Sequence, residues 1–176
     1  DEFDAVVVCA GTESKQITAK SGIWLPTYPI AGYSLNLPLH AQSPRTSITA
    51  LNQRLVFSRF KNSMRIAGFI DINGAQKKAR PRLTYLRDTA RNLCPDSAIY
   101  DQDKDISGWM GYRCMTPSGV PLVGATAKPG VFVNTGHGMF GWTLSAATSV
   151  AVADAVTGNA TASQISSNSN KTKLTT

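Results

Sequence analysis

The chain has 176 residues, long enough for one well-buried core or for parts of two. With 42% hydrophobic residues, 14 Gly and 9 Pro, its composition is that of a folded protein and excludes global disorder. The net charge of +7 owes much to Lys77, Lys78, Arg80, Arg82, Arg87 and Arg91; without the series of aromatics that base stacking requires, this run reads as a solvated helix face and not as a nucleic-acid surface.

Three cysteines, Cys9, Cys94 and Cys114, cannot all pair within one chain, and none shows C-x-x-C spacing. Two histidines are too few to complete a zinc set, so no metal is expected. Cys9 lies in an apolar run and reads as a small core residue. A reduced, cytosolic setting fits, with no signal-peptide pattern and no apolar run near bilayer length. The chain begins at Asp1 without a Met and enters a strand almost at once, the pattern of a chain joined midway.

In chain order, residues 5–9 (AVVVC) are continuously apolar and β-branched, as in a strand buried on both faces of a parallel sheet. Pro26 and Pro29 exclude helix there. Residues 30–39 alternate, with Tyr33, Leu35 and Leu37 set against Ser34 and Asn36, which predicts a half-buried strand. Residues 54–60 and 64–72 form a hairpin over the turn Lys61, Asn62 and Ser63, and Gly68 marks a bulge or a close approach. Leu83, Leu86, Ala90 and Leu93 give residues 81–94 one apolar helical stripe, opened by Pro81 and closed by Pro95. A strand over 107–113 follows, then turn-rich residues 115–121, a short strand over 131–134 and a small-residue helix over 143–156. Residues 160–176, rich in Ser, Thr and Asn, read as a polar tail.

Two stretches carry chemistry. The first, 131–143 (VFVNTGHGMFGWT), runs from a strand through three glycines into a helix. Glycines let the backbone approach a ligand, and the free N–H groups of the following helix favour an anion or an electron-rich oxygen. A tight strand–helix connection without a ligand is the other reading, and the missing lysine excludes a P-loop. The second stretch places Arg113 among aromatics and glycines (WMGYR). A guanidinium there needs a carboxylate, from the chain or from a ligand, and its planar fork suits bidentate binding. His137 reads first as a loop-shaping hydrogen-bonder and second as a general base. No Ser–His–acid set or carboxylate pair is suggested, so no catalytic side chain is assigned.

These motifs carry a family resemblance. Residues 3–14 (FDAVVVCAGTES), 29–37 (PIAGYSLNL), 64–71, 80–95, 109–124 (WMGYRCMTPSGVPLVG) and 134–143 (NTGHGMFGWT) together resemble the C-terminal portion of bacterial FAD-dependent D-amino-acid dehydrogenases, in the D-amino-acid/glycine/sarcosine oxidase superfamily. The implied fold is α+β: an antiparallel-sheet substrate domain with one helix, flanked by pieces of a Rossmann-like FAD-binding domain. Its parts are an FAD-domain strand and linker at 1–28, the substrate domain at 29–109, an FAD-domain return at 110–159, and the tail at 160–176. Arg113 and Tyr33 then fall on substrate binding. Ala10, Gly11, Gly136, His137, Gly138, Gly141 and Thr143 fall on the flavin.

The implied reaction is oxidation of a D-amino acid, with electrons passed through FAD to a quinone-type acceptor. The implied location is cytoplasmic, or peripheral at the inner face of a bacterial membrane. Ala31, Cys114 and Ser118 depart from the family's Lys, Pro and Asp. The family's N-terminal βαβ unit, with its glycine fingerprint and ribose-holding acid, has no counterpart here, and that unit supplies most of the cofactor affinity. A complementary N-terminal chain or self-association is therefore expected. Relatives that oxidise glycine, sarcosine or proline, and a non-catalytic, partner-binding subunit, are the alternative readings.

Overall fold

The structure, a computed structural model, describes residues 2–72, 79–100 and 108–159. Lys77, Lys78, the start of the strand expected from 107 and the tail at 160–176 lie outside them. The chain divides into two compact units. One comprises the described residues of Asp1–Pro29 and Arg113–Thr176, the other those of Ile30–Tyr112.

The first unit holds β1 (Val6–Val8), α1 (Ser14–Ala19), β7 (Leu122–Ala125), β8 (Val131–Thr135) and α3 (Gly141–Thr157). Its three strands run in the order β1-β8-β7. β1 and β8 are parallel, with Val7 opposite Phe132, and β7 is antiparallel to β8. Short apolar stretches separated by long sequence distances pair here as a parallel α/β fragment does. β1 is not buried on both faces as its sequence suggests. Among the described residues it has a single strand neighbour, and Val6 and Val7 are exposed while only Val8 is buried. Cys9 is exposed as well, because the strand ends before it. α1 has no apolar period and was not expected from the sequence; it buries Ser14 and Thr18.

α3 starts at Gly141, two residues before the expected helix, and ends at Thr157 with left-handed Gly158 just beyond. It meets the sheet through Ala151 and Val152, packed with Val123 and Phe132. Gly138–Thr157, including the turn before α3, is long and apolar enough to cross a bilayer by length and composition, contrary to the sequence expectation. Its apolarity comes from many small residues and not from a run of large ones, which is why it does not stand out in the sequence.

The second unit is an antiparallel sheet with one helix. β2 (Tyr28–Pro38), β3 (Ile48–Ala50), β4 (Leu55–Arg59), β5 (Ser63–Ile72) and β6 (Gly108–Met115) are ordered β3-β4-β5-β2-β6, and the chain passes from one unit to the other within β6. Helix α2 (Ala79–Leu93) buries Leu83, Leu86 and Ala90 in a core shared with Tyr33, Leu35, Leu55, Phe57, Met64 and Ile66. Leu93, expected on that stripe, is the last residue of the helix and is exposed. Ser34, expected on a solvated face, is buried.

Gly68 does sit at a close approach: a Cβ there would come 2.7 Å from the Arg54 carbonyl oxygen. A bulge follows it, because Tyr33 pairs with Gly68 while Ala31 pairs with Asp71, leaving one extra residue on β5. Phe69 takes up that excess in the left-handed region, at φ +62°. The basic run on α2 is more paired than its sequence shows. Arg82 binds Asp71 of β5, its Nε donating to Oδ2 at 2.7 Å, and Arg87 pairs with Asp88.

Candidate functional site

Most of the expected site residues lie in the first unit, around the ends of β1 and β8. β1 delivers the chain into a turn at Ala10 and Gly11, with Gly11 at φ +56° and nothing within 4 Å of the place its Cβ would occupy. β8 delivers it into the glycine loop. Gly136 has φ +80°, and a Cβ there would come 2.6 Å from Thr116 Cγ2; Gly138 has φ +56°, with Met115 Sδ 2.5 Å from the same virtual atom. A side chain at either position would meet both an unfavourable backbone and a neighbour already in place. Gly141 needs no such freedom and serves as the first residue of α3. Thr143 is exposed in the first helical turn.

Thr135, 1% exposed, connects the two loops. Its hydroxyl donates to the Gly11 carbonyl at 3.1 Å, and Cys114 Sγ lies 3.5 Å from the same oxygen. That cysteine is the neighbour of Arg113. Arg113 does not end its strand as expected, since β6 continues to Met115. Its Nη1 is buried with no hydrogen-bond partner among the described residues. A buried guanidinium nitrogen without a partner is costly, and an incoming carboxylate removes that cost.

His137 Nε2 lies 3.2 Å from Thr148 Oγ1, and Thr148 gives its own proton to the Leu144 carbonyl at 3.0 Å. The imidazole therefore donates through Nε2–H. Burial holds its pKa below the usual histidine range. A neutral ring clamped to α3 shapes the loop. The residue before α3, Phe140, makes no side-chain capping bond, so the first-turn N–H groups have no side-chain acceptor there.

Tyr33 lies in the second unit, 1% exposed, with its hydroxyl donating to Asp71 at 2.8 Å.

The sequence reading missed two polar groups. Ser14 Oγ and Asn134 Oδ1 are also buried without a partner among the described residues, one at the start of α1 and one just before Thr135. Asn134 stands within the NTGHG motif and could have been singled out there; Ser14 carries no sequence signal. Gly136, Gly138 and Gly141 also have the spacing G-x-G-x-x-G between a strand and a helix, the form of a ligand-facing βα turn.

The residues fit a flavin edge. Gly11 leaves the backbone bare, the opening turn of α3 has no side-chain cap, and Arg113 holds a buried guanidinium nitrogen with no partner among the described residues.

Comparison with known proteins identifies the family. The family model for FAD dependent oxidoreductases (DAO) matches residues 1–155. D-amino acid dehydrogenase of Paramagnetospirillum magneticum is 37% identical over 162 residues, 90% of this chain and 38% of that protein. D-amino acid dehydrogenase 2 of Pseudomonas aeruginosa is 41% identical over 147 residues, 82% of this chain and 34% of that protein. The crystal structure of glycine oxidase from Geobacillus kaustophilus superposes with a TM-score of 0.76 at 25% identity, over 90% of this chain and 42% of that one. The chain thus spans less than two-fifths of the length of these curated relatives. It belongs to the DAO family of FAD-dependent oxidoreductases.

Proposed function

We propose that the chain is the part of a flavin-dependent D-amino-acid dehydrogenase that grips the substrate carboxylate and faces the reactive edge of the flavin. The supporting observation is the buried Nη1 of Arg113, without a hydrogen-bond partner among the described residues. In this reading Arg113 binds the α-carboxylate and so fixes the orientation of Cα. Gly11 brings bare backbone to the cofactor, Gly136 and Gly138 supply the left-handed turns that shape the loop, His137 holds the loop to α3, and the opening turn of α3 supplies partial positive charge. Ala10, Gly141 and Thr143 flank those contacts. Bound FAD supplies the hydride acceptor for Cα–H, so the protein needs no general base for that bond. The product imino acid hydrolyses to a 2-oxo acid and ammonia, and a quinone-type acceptor takes the electrons. We assign Tyr33 to holding the β5 bulge, since its proton is committed to Asp71.

A second reading is favoured by β1, whose outer edge is open and apolar. By itself the chain acts as a partner-binding subunit, completed by a complementary N-terminal chain or by a second copy, and holds FAD weakly. A third, an oxidase of glycine, sarcosine or proline, is favoured by the glycine oxidase superposition. A substrate panel on the intact protein tests these readings, with D- and L-amino acids, glycine, sarcosine and proline, each with oxygen or a soluble quinone. Turnover of D-amino acids with quinone and little with oxygen is the expected result; oxygen-dependent turnover confined to glycine and sarcosine contradicts it.

A further inference from the structure

Thr135 is the meeting point of three segments. Its hydroxyl proton goes to the carbonyl of Gly11, in the turn after β1. Its oxygen is 3.5 Å from Cys114 Sγ, next to Arg113 on β6. Its own backbone leads directly into Gly136, whose left-handed conformation backs onto Thr116. The oxygen is almost completely enclosed, so water cannot replace either contact.

We propose that Thr135 is a positioning residue for the cofactor. It locks the turn at 10–13 and the glycine loop at 136–140 to each other, so that both meet the flavin as one preformed surface. The proposal rests on the flavin reading above and adds a residue that does not itself touch the ligand. Two short turns report on the lock: Glu13 N–H donates to the Ala10 carbonyl at 3.1 Å, and Phe140 N–H to the His137 carbonyl at 3.1 Å. If the hydroxyl couples the segments, removing it loosens both turns together. A residue that only filled space would leave them unchanged in an isosteric variant.

The test compares Thr135→Val, which keeps the shape and removes the oxygen, with Thr135→Ser, which keeps the oxygen. Amide hydrogen exchange on the chain is followed at Glu13 and Phe140, with Asn159, bonded to the Asp154 carbonyl at the far end of α3, as the control for general destabilisation. The flavin retained by the intact protein after gel filtration is measured from its absorbance. The expected result is exchange at least tenfold faster at both turns in Thr135→Val, an unchanged Asn159, severalfold less flavin retained, and restoration of both readouts in Thr135→Ser. Wild-type exchange in Thr135→Val overturns the proposal, as does faster exchange at all three amides alike or faster turns with flavin fully retained. A wild-type intact protein without flavin contradicts the proposed function instead, a failure distinct from that of the lock.

Discussion

Tyr33 on β2 gives its phenolic proton to Asp71 on β5, immediately beyond the bulge that Phe69 creates. The same carboxylate receives Arg82 from α2, whose guanidinium lies over the Phe69 ring, which in turn stacks on Tyr85. One part-buried hydrogen-bonded group thus joins the central strands, the helix and the residue with left-handed backbone between them. Burial and the Asp71 carboxylate push the Tyr33 pKa up to about 12.

Tyr33→Phe should destabilise the protein by about 1.5–3 kcal/mol, the range for a hydrogen bond to a charged group. The folded state raises the pKa, so the contribution is complete below the ordinary tyrosine value of about 10 and is lost as the pH rises toward 12. Urea unfolding of wild type and variant at pH 8 and pH 11 should show the difference shrinking at the higher pH. A constant difference would mean that the phenol proton does not carry the interaction.

His137 shifts the other way. Burial lowers its pKa, so the fold favours the neutral ring. Its contribution is complete above the ordinary histidine pKa of about 6.5 and is lost as the pH falls below that value, where the unfolded chain binds a proton first. Lowering the pH from 7.5 to 5.5 should reduce the urea midpoint, and His137→Gln should flatten that dependence. An equally steep dependence in the variant would assign it to other groups.

The glycines separate by what surrounds them. Gly11→Ala meets open space and should cost only the left-handed backbone penalty, about 1–2 kcal/mol. Gly136→Ala adds a collision with Thr116, which is fixed by its bond to the Val120 carbonyl, and should cost about 2–5 kcal/mol. Thermal unfolding ranks the pair; equal losses would remove the packing argument for Gly136.

Periodicity made the second unit readable. Alternation along β2, the hairpin of β4 and β5 and the stripe on α2 all point to one core, and those residues form it except Leu93 at the helix end. The short elements were not readable: α1 buries Ser14 and Thr18 instead of apolar side chains, and β3 has three residues. β1 shows the limit of composition. Its valines describe a strand with neighbours on both sides, whereas the described chain supplies one. At the site, motif spacing located the loop and Arg113. The pairing of Tyr33 with Asp71 crosses 38 residues, and no local pattern encodes it.

The open edge of β1 should have a measurable consequence. Unpaired N–H and C=O groups beside exposed Val6 and Val7 favour pairing with another strand. Light scattering should show the isolated chain self-associating at micromolar concentration, with flavin titration giving weak or no binding. Val7→Lys should reduce the association. A monomer that binds FAD tightly would show that the described strands suffice alone.

The central claim is that Arg113 holds the substrate carboxylate, and the direct measurement is the Michaelis constant of the intact protein for its preferred D-amino acid in Arg113→Lys. Lysine keeps the charge and loses the fork, so the account predicts a KM raised by about tenfold to a hundredfold, the equivalent of about 1.5–3 kcal/mol. A KM equal to that of the wild type would contradict it.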